Sequence, residues 1–478
     1  MTFFRRYLFG TGYGSSVVFL MTGSAVGQAL GLAVAPFLTR LYEPSDLGIL
    51  ALYTSIVSVI SVVACLRYEV AIPLPEDDDE ASRLAWVALV CCAASSALVG
   101  IAVMLLAGPL GGTFETGPAV ILFALMPVSV LGIGVVQTLT FWSLRRERFR
   151  PVGAASGIQG AAQAAVQISL GLGGAGATGL LIGHAAGRVG GATALWAAVR
   201  GQSFLTPPAG FGALLRSARR YGRFPLVTTW SSLINSASAE LPIVLLSLAF
   251  GSGVVGLFAL TTRVLQAPMA LVGQAMGQVY YASSARHPDR DTLSSTTRTM
   301  LRRLSALAMG PLLLMMVSGP IAFELVFGPQ WRPAGNYAQW LAPWLVIVFI
   351  TSPISTLVFV LGRQRLELLF QGLLICARLS ALGIGALASD ANLAVQLFAL
   401  VSAIMWAAYL GWLVSLVGIE PMEVAHLLGR SAAKAALLVL PALVAILLVP
   451  STPLQLTAIG LSGMLMAADT LRDLRSGS

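Results

Sequence analysis

LTRLYEPSDLGILALYT, residues 38–54, sets Arg40, Glu43, Pro44 and Asp46 between two long apolar runs. A short polar junction with a proline, flanked on both sides by hydrophobic stretches, is the pattern of a tight hairpin between two transmembrane helices. Its second half, Gly48-Ile-Leu-Ala51-Leu52-Tyr-Thr54, returns about 208 residues later as Gly256-Leu-Phe-Ala259-Leu260-Thr-Thr262, just after the turn Gly251-Ser-Gly253. The offset predicts a chain built from two related halves.

Composition supports a membrane reading. Soluble domains carry roughly 25% charged residues; this chain carries 10%, with 57% hydrophobic residues and a mean hydropathy of +0.84. The opening MTFFRRYLFG is followed by an apolar run without a small-residue cleavage site, so it is expected to remain as a first helix. The four cysteines, Cys65, Cys91, Cys92 and Cys376, fall in or at the end of apolar spans without metal-ligand spacing and read as packing residues. No metal or cofactor is expected.

Apolar runs near twenty residues predict about fourteen helices, at 14–38, 46–66, 84–107, 117–142, 151–172, 176–198, 225–249, 253–280, 304–327, 334–361, 366–388, 392–418, 433–449 and 453–469. The expected fold is an all-α polytopic membrane protein. Two pseudo-symmetric six-helix lobes, 1–198 and 225–418, are joined by a basic cytoplasmic connection, 199–224. An amphipathic segment and an extra helix pair follow at 419–478.

The net charge of +9 would suggest nucleic acid in a soluble protein. Here the basic residues gather in alternate short loops, including the RRERFR cluster at 145–150, while the opposite loops hold only Arg40 and Arg332. This asymmetry predicts cytoplasmic N- and C-termini. In the connection, Arg216, Arg219, Arg220 and Arg223 share one helical face, suited to anionic headgroups or to guiding an anionic lipid. With both halves starting on the same side, the lobes form a parallel repeat, an arrangement transporters use to surround a cavity.

Polar residues inside spans locate the candidate site. Ser156, Gln159, Gln163 and Gln167 line helix five, Ser231, Asn235 and Ser238 helix seven, and Arg263, Gln266, Gln274 and Gln278 helix eight. Such stripes face protein or water, because unpaired amides and hydroxyls in lipid are costly; interhelical hydrogen bonding is the alternative to a wet, sugar-compatible interior. Arg188, Arg263 and Arg378 fall near the middle of helices, Glu240 lies in the outer half of helix seven, and His184 is one turn from Arg188. An arginine at a helix centre costs roughly 2.5–3.5 kcal/mol even on the lenient scale, so it is expected to serve a ligand or an ion pair, with Glu240 as an available partner. The cationic excess suits an anionic ligand, and the guanidinium fork matches phosphate oxygens. Arg263, Arg188, Arg378, Arg40, Gln274, Gln163 and Asn235 are the candidate substrate-binding residues; Glu240 and His184 are candidates for coupling or cavity charge.

Several stretches together resemble the Wzx-like polysaccharide flippases of the multidrug/oligosaccharidyl-lipid/polysaccharide exporter (MOP) superfamily. They are Thr39-Arg40-Leu41-Tyr42, Ser45-Asp46-Leu47-Gly48, Leu66-Arg67-Tyr68-Glu69-Val70-Ala71-Ile72, Tyr221-Gly-Arg-Phe-Pro225, Glu240-Leu-Pro242, Arg263 with Pro268 and Gly273-Gln274, and Gly328-Pro-Gln-Trp331. The resemblance runs over roughly residues 15–365. It implies two six-helix lobes around a cationic cavity that moves undecaprenyl-diphosphate-linked oligosaccharide across the bacterial inner membrane by alternating access. Many members are thought of as twelve-helix proteins; fourteen is the count of the lipid II flippases, whose extra pair forms a groove for the lipid tail.

Three function classes follow. The first is a non-enzymatic flippase whose partners are lipid-linked oligosaccharide and membrane lipids, with a glycan polymerase or other polysaccharide assembly proteins beside it and no nucleic acid. The second is a cation-coupled multidrug exporter, which favours carboxylates and aromatics in its cavity. The third, a membrane glycan polymerase or ligase, usually offers a large outer loop for acceptor chemistry, and the outer loops here are short.

Overall fold

A computed structural model describes residues 30–111, 118–200, 210–286, 289–448 and 452–476. The described chain is almost wholly helical. In order, the helices are α1 (Leu30–Leu41), α2 (Pro44–Ala64), α3 (Tyr68–Ala71), α4 (Asp78–Gly111), α5 (Pro118–Arg145), α6 (Phe149–Leu172), α7 (Gly176–Val199), α8 (Phe211–Arg220), α9 (Thr229–Arg286), α10 (Arg290–Phe327), α11 (Arg332–Ile354), α12 (Leu357–Val360), α13 (Gln364–Leu387), α14 (Ala391–Leu416), α15 (Pro421–Leu448) and α16 (Thr452–Ser476). Among the described residues, nine helices are long and apolar enough to cross a membrane, and Leu30–Leu41 and Leu454–Met466 are shorter apolar helices. The Gly-, Ala- and Gln-rich α6 and α7 are outside those nine. Most of the first predicted helix lies outside the described residues.

The hairpin at 38–54 forms as its sequence requires. Pro44 takes the first helical position of α2, where its missing N–H costs nothing, and a capping box closes the end: the Glu43 N–H donates to Asp46 Oδ2 at 3.1 Å while the Glu43 side chain accepts from the backbone of Asp46. Tyr42 is buried and donates its Oη to the Gln167 carbonyl at 2.6 Å. Its ring occupies space that only glycine leaves open, since a Cβ at Gly171 or Gly179 would lie 2.8 or 2.7 Å from it. The glycine-rich join between α6 and α7 is therefore a socket for the tyrosine of the hairpin.

The described residues fall into two compact units divided between Ser247 and Leu248. In the first, α6 packs along α7, and α5 contacts both α4 and α7. Its buried core runs from Tyr53 and Val57 through Trp142 and Leu181 to Leu195. On one rim the acidic run is satisfied by the basic clusters: Arg145 and Arg146 reach Asp78, Arg220 of α8 reaches Glu80, and Tyr68 Oη donates to the Ala218 carbonyl. The basic helix α8 is thus fastened to α3 and α4, leaving Phe211, Leu215, Arg216 and Arg219 exposed.

The predicted helices 225–249 and 253–280 join in α9, whose backbone leaves helical geometry at Gly251 (φ 80°, ψ 178°). A side chain with a Cβ is strained at that positive φ, so glycine lets the chain re-enter helix after one residue. Other helices begin earlier than their apolar runs: α10 at Arg290 with Asp289 as a true N-cap, α4 at Asp78, and α15 at Pro421. Hydropathy marks the lipid-facing length, and a helix continues past it until a cap or glycine stops it.

In the second unit α10 packs along α11, and the final pair, α15 and α16, docks on α10. Gly319 and Gly335 bring α10 and α11 into backbone contact; a Cβ at Gly319 would sit 2.6 Å from the Gly335 carbonyl oxygen, and one at Gly335 would overlap the Gly319 backbone. Gly335→Ala is expected to separate the two helices and cost at least about 1–3 kcal/mol. Thermal unfolding in detergent should show a clear loss for Gly335→Ala and little change for Gly157→Ala, whose Cβ would meet nothing within 4 Å.

Candidate functional site

The first unit holds Arg188 at the meeting of α2, α5 and α7. Gly132 of α5 makes room for it, since a Cβ there would lie 3.0 Å from Arg188 Cβ. Arg188 Nε donates to His184 Nε2 at 3.4 Å, so that nitrogen of the buried imidazole accepts. The His184 ring stands edge-on to Tyr53 at 5.7 Å, and Tyr53 Oη shares a hydrogen bond with Ser129 Oγ at 2.7 Å. No carboxylate pairs with Arg188 among the described residues.

Among the described residues, Glu240 is met by a serine. Ser55 Oγ donates to Glu240 Oε2 at 2.8 Å and to the Glu240 carbonyl at 3.3 Å. A hydroxyl satisfies part of this half-buried carboxylate without neutralising it. Asn235, earlier on α9, is exposed, and so is Arg40 in the hairpin.

The glutamine stripe of α6 faces α7. Cβ atoms placed at Gly183, Gly187 and Gly191 would meet Gln167, Gln163 and Gln159 respectively, and Gln167 Nε2 donates to the Leu180 carbonyl at 3.0 Å. Gln167 therefore makes an interhelical hydrogen bond, while Gln163 is half-buried against Gly187.

The second unit holds Arg378 in an aromatic frame. Its Nε donates to Ser402 Oγ of α14 at 2.9 Å, and its Cζ lies 5.0 Å from the ring centres of both Trp344 on α11 and Phe398 on α14. Phe398 is itself edge-on to Trp344 at 5.3 Å and to Phe258 of α9 at 5.7 Å. The rings fix the guanidinium plane through cation–π contacts. Neither Nη atom has a hydrogen-bond partner among the described residues, so four N–H groups remain for a ligand. Trp344 and Phe398 carry no signal in the sequence, where they read as ordinary apolar residues.

Arg263 is exposed on α9, as is Gln266, while Thr261 and Leu265 on the other side of the helix are buried. The Gln274 side chain lies outside the described residues.

Glu69 was read only as part of the Arg67-Tyr68-Glu69 stretch. It is buried, with Oε1 3.5 Å from Arg67 Nη1 and Oε2 without a hydrogen-bond partner among the described residues. Burial, partly offset by backbone hydrogen bonding and Arg67, holds its carboxyl above the usual carboxylate range.

The fold recurs in solved transporters. A lipid II flippase, MurJ, in its inward closed conformation matches with a TM-score of 0.63 at 13% identity, covering 97% of this chain and 99% of that one. An inward-facing multidrug resistance MATE family transporter of the MOP superfamily matches at 0.58 and 15% identity, covering 85% and 94%. A MOP superfamily transporter from Pyrococcus furiosus matches at 0.52 and 13% identity, covering 88% and 98%. No curated protein matches the chain. The family described as polysaccharide biosynthesis protein matches residues 37–336, more than half of the chain, including the hairpin, Arg188, Glu240 and Arg263. With this match and the MOP superfamily fold, the chain is a multi-pass membrane protein of the polysaccharide biosynthesis protein family.

Proposed function

We propose that the protein is a flippase that carries undecaprenyl-diphosphate-linked oligosaccharide across the bacterial inner membrane by alternating access, without covalent chemistry. The observation that carries this reading is the way arginine is held among the helices. Arg188 and Arg378 are oriented by an imidazole, a hydroxyl and two rings, and no carboxylate neutralises either among the described residues. Fixed guanidinium groups of this kind favour phosphate oxygens, which accept two parallel hydrogen bonds from the fork. A multidrug exporter of cationic drugs would need the opposite charge.

In this reading the two lobes, 1–198 and 225–418, rock about a central path with both termini in the cytoplasm. Arg188, Arg263 and Arg378 contact the diphosphate, Gln163, Asn235 and Gln274 meet sugar hydroxyls, and Arg40 meets the cargo at the outer rim. Glu240 and His184 set the cavity charge. The test is leaflet exchange in vesicles containing the purified protein alone: a lipid-linked oligosaccharide placed in one leaflet should appear in the other, and transport of cationic drugs in place of that lipid would reject the proposal.

A further inference from the structure

The final helix pair carries an ion pair that the proposed transport path does not use. Lys434 is followed in α15 by the apolar run 435–448, and Asp469 follows the apolar helix Leu454–Met466 of α16. The two helices run antiparallel, so both charges stand at the same end of the apolar layer. Lys434 Nζ and Asp469 Oδ2 are 2.8 Å apart, with the side chains 48% and 26% exposed. The pair borders a cavity of about 50 Å³ between α10, α15 and α16, whose wall includes Gly310, Ser431 and Met466. At roughly 10–15 Å³ per water-sized group, that volume accepts a body of about the size of one phosphate. A cation, an anion and a hydroxyl around a phosphate-sized recess, at the boundary of the apolar layer, match a headgroup that itself carries both charges.

We propose that this recess binds the headgroup of a zwitterionic aminophospholipid of the surrounding bilayer, distinct from the transported lipid. The phosphate enters beside Lys434 and Ser431, the ammonium lies against Asp469, and the existing ion pair is exchanged for two intermolecular ones. Charge count sets the selectivity: the paired site prefers the zwitterion, whereas removal of the Asp469 carboxylate leaves a net positive site that prefers an anionic headgroup.

The test is native mass spectrometry of the full chain released from nanodiscs holding equal amounts of phosphatidylethanolamine and phosphatidylglycerol. Wild type is expected to retain more phosphatidylethanolamine. Asp469→Asn should shift the retained ratio about fivefold toward phosphatidylglycerol, equivalent to about 1 kcal/mol at 1.4 kcal/mol per tenfold. The exchanged pair, Lys434→Asp with Asp469→Lys, should keep the wild-type preference. Excess soluble glycerophosphoethanolamine should leave retention unchanged; displacement would overturn assignment to a bilayer lipid. Equal retention of both lipids by wild type, or an unchanged ratio in Asp469→Asn, would reduce the ion pair to a bridge between α15 and α16.

Discussion

Arg378→Met is expected to leave the protein folded and inserted while lowering transport of the lipid-linked oligosaccharide at least about tenfold. The stability terms partly cancel. Methionine forfeits two cation–π contacts of about 0.5–2 kcal/mol each and the charged hydrogen bond to Ser402, worth about 1.5–3 kcal/mol. It is also relieved of roughly 2.5–3.5 kcal/mol for a charge in the apolar layer. Function has no such compensation. The Nη donors that Trp344 and Phe398 hold in a fixed plane disappear, and one lost charge-assisted bond to phosphate accounts for a tenfold effect. Arg378→Lys should recover part of the rate, because a point charge remains without the planar fork. A methionine variant with normal transport would make Arg378 a structural element of the α13–α14 contact.

Arg263→Ala is expected to have a larger effect, reducing transport about 10- to 100-fold. Arg263 stands about 18 Å along α9 from the break at Gly251 at 1.5 Å per residue, too deep for easy snorkelling to a headgroup. It is exposed there, in a helix long and apolar enough to span a membrane. A charge at that depth costs several kcal/mol in hydrocarbon, and a water-filled path, where an anion can meet it, avoids that cost. The second arrangement favours the diphosphate, and loss of the charge removes its point of attachment. Arg263→Lys should transport at an intermediate rate. Unimpaired transport by a well-expressed alanine variant would remove Arg263 from the binding site.

The fold was largely legible because its signals are local. Glu43, Pro44 and Asp46 announce the hairpin within four residues, and the Gly251 turn separates two apolar runs as expected. Helix starts were less visible, since Asp289 caps α10 well before hydropathy rises and α15 continues through its amphipathic stretch. Long-range pairings left the weakest trace. Tyr42 needs Gly171 and Gly179 more than a hundred residues away, and neither residue type identifies the other. In the candidate site, the arginines within apolar runs stood out because charge is costly in lipid, but the groups around them did not. Ser402, Trp344 and Phe398 are common in any span, and so is Ser55, which donates to Glu240.

In the proposed function, fixed cationic groups inside the protein select a diphosphate-linked lipid. The most direct measurement of this selection is leaflet exchange in vesicles containing only this protein and two lipids that bear the same oligosaccharide, one on a polyprenyl diphosphate and the other on a neutral linker. The expected result is rapid exchange of the diphosphate-linked lipid, slow exchange of its neutral counterpart, and loss of the difference in Arg263→Ala. Equal exchange of the two lipids by the wild-type protein would contradict it.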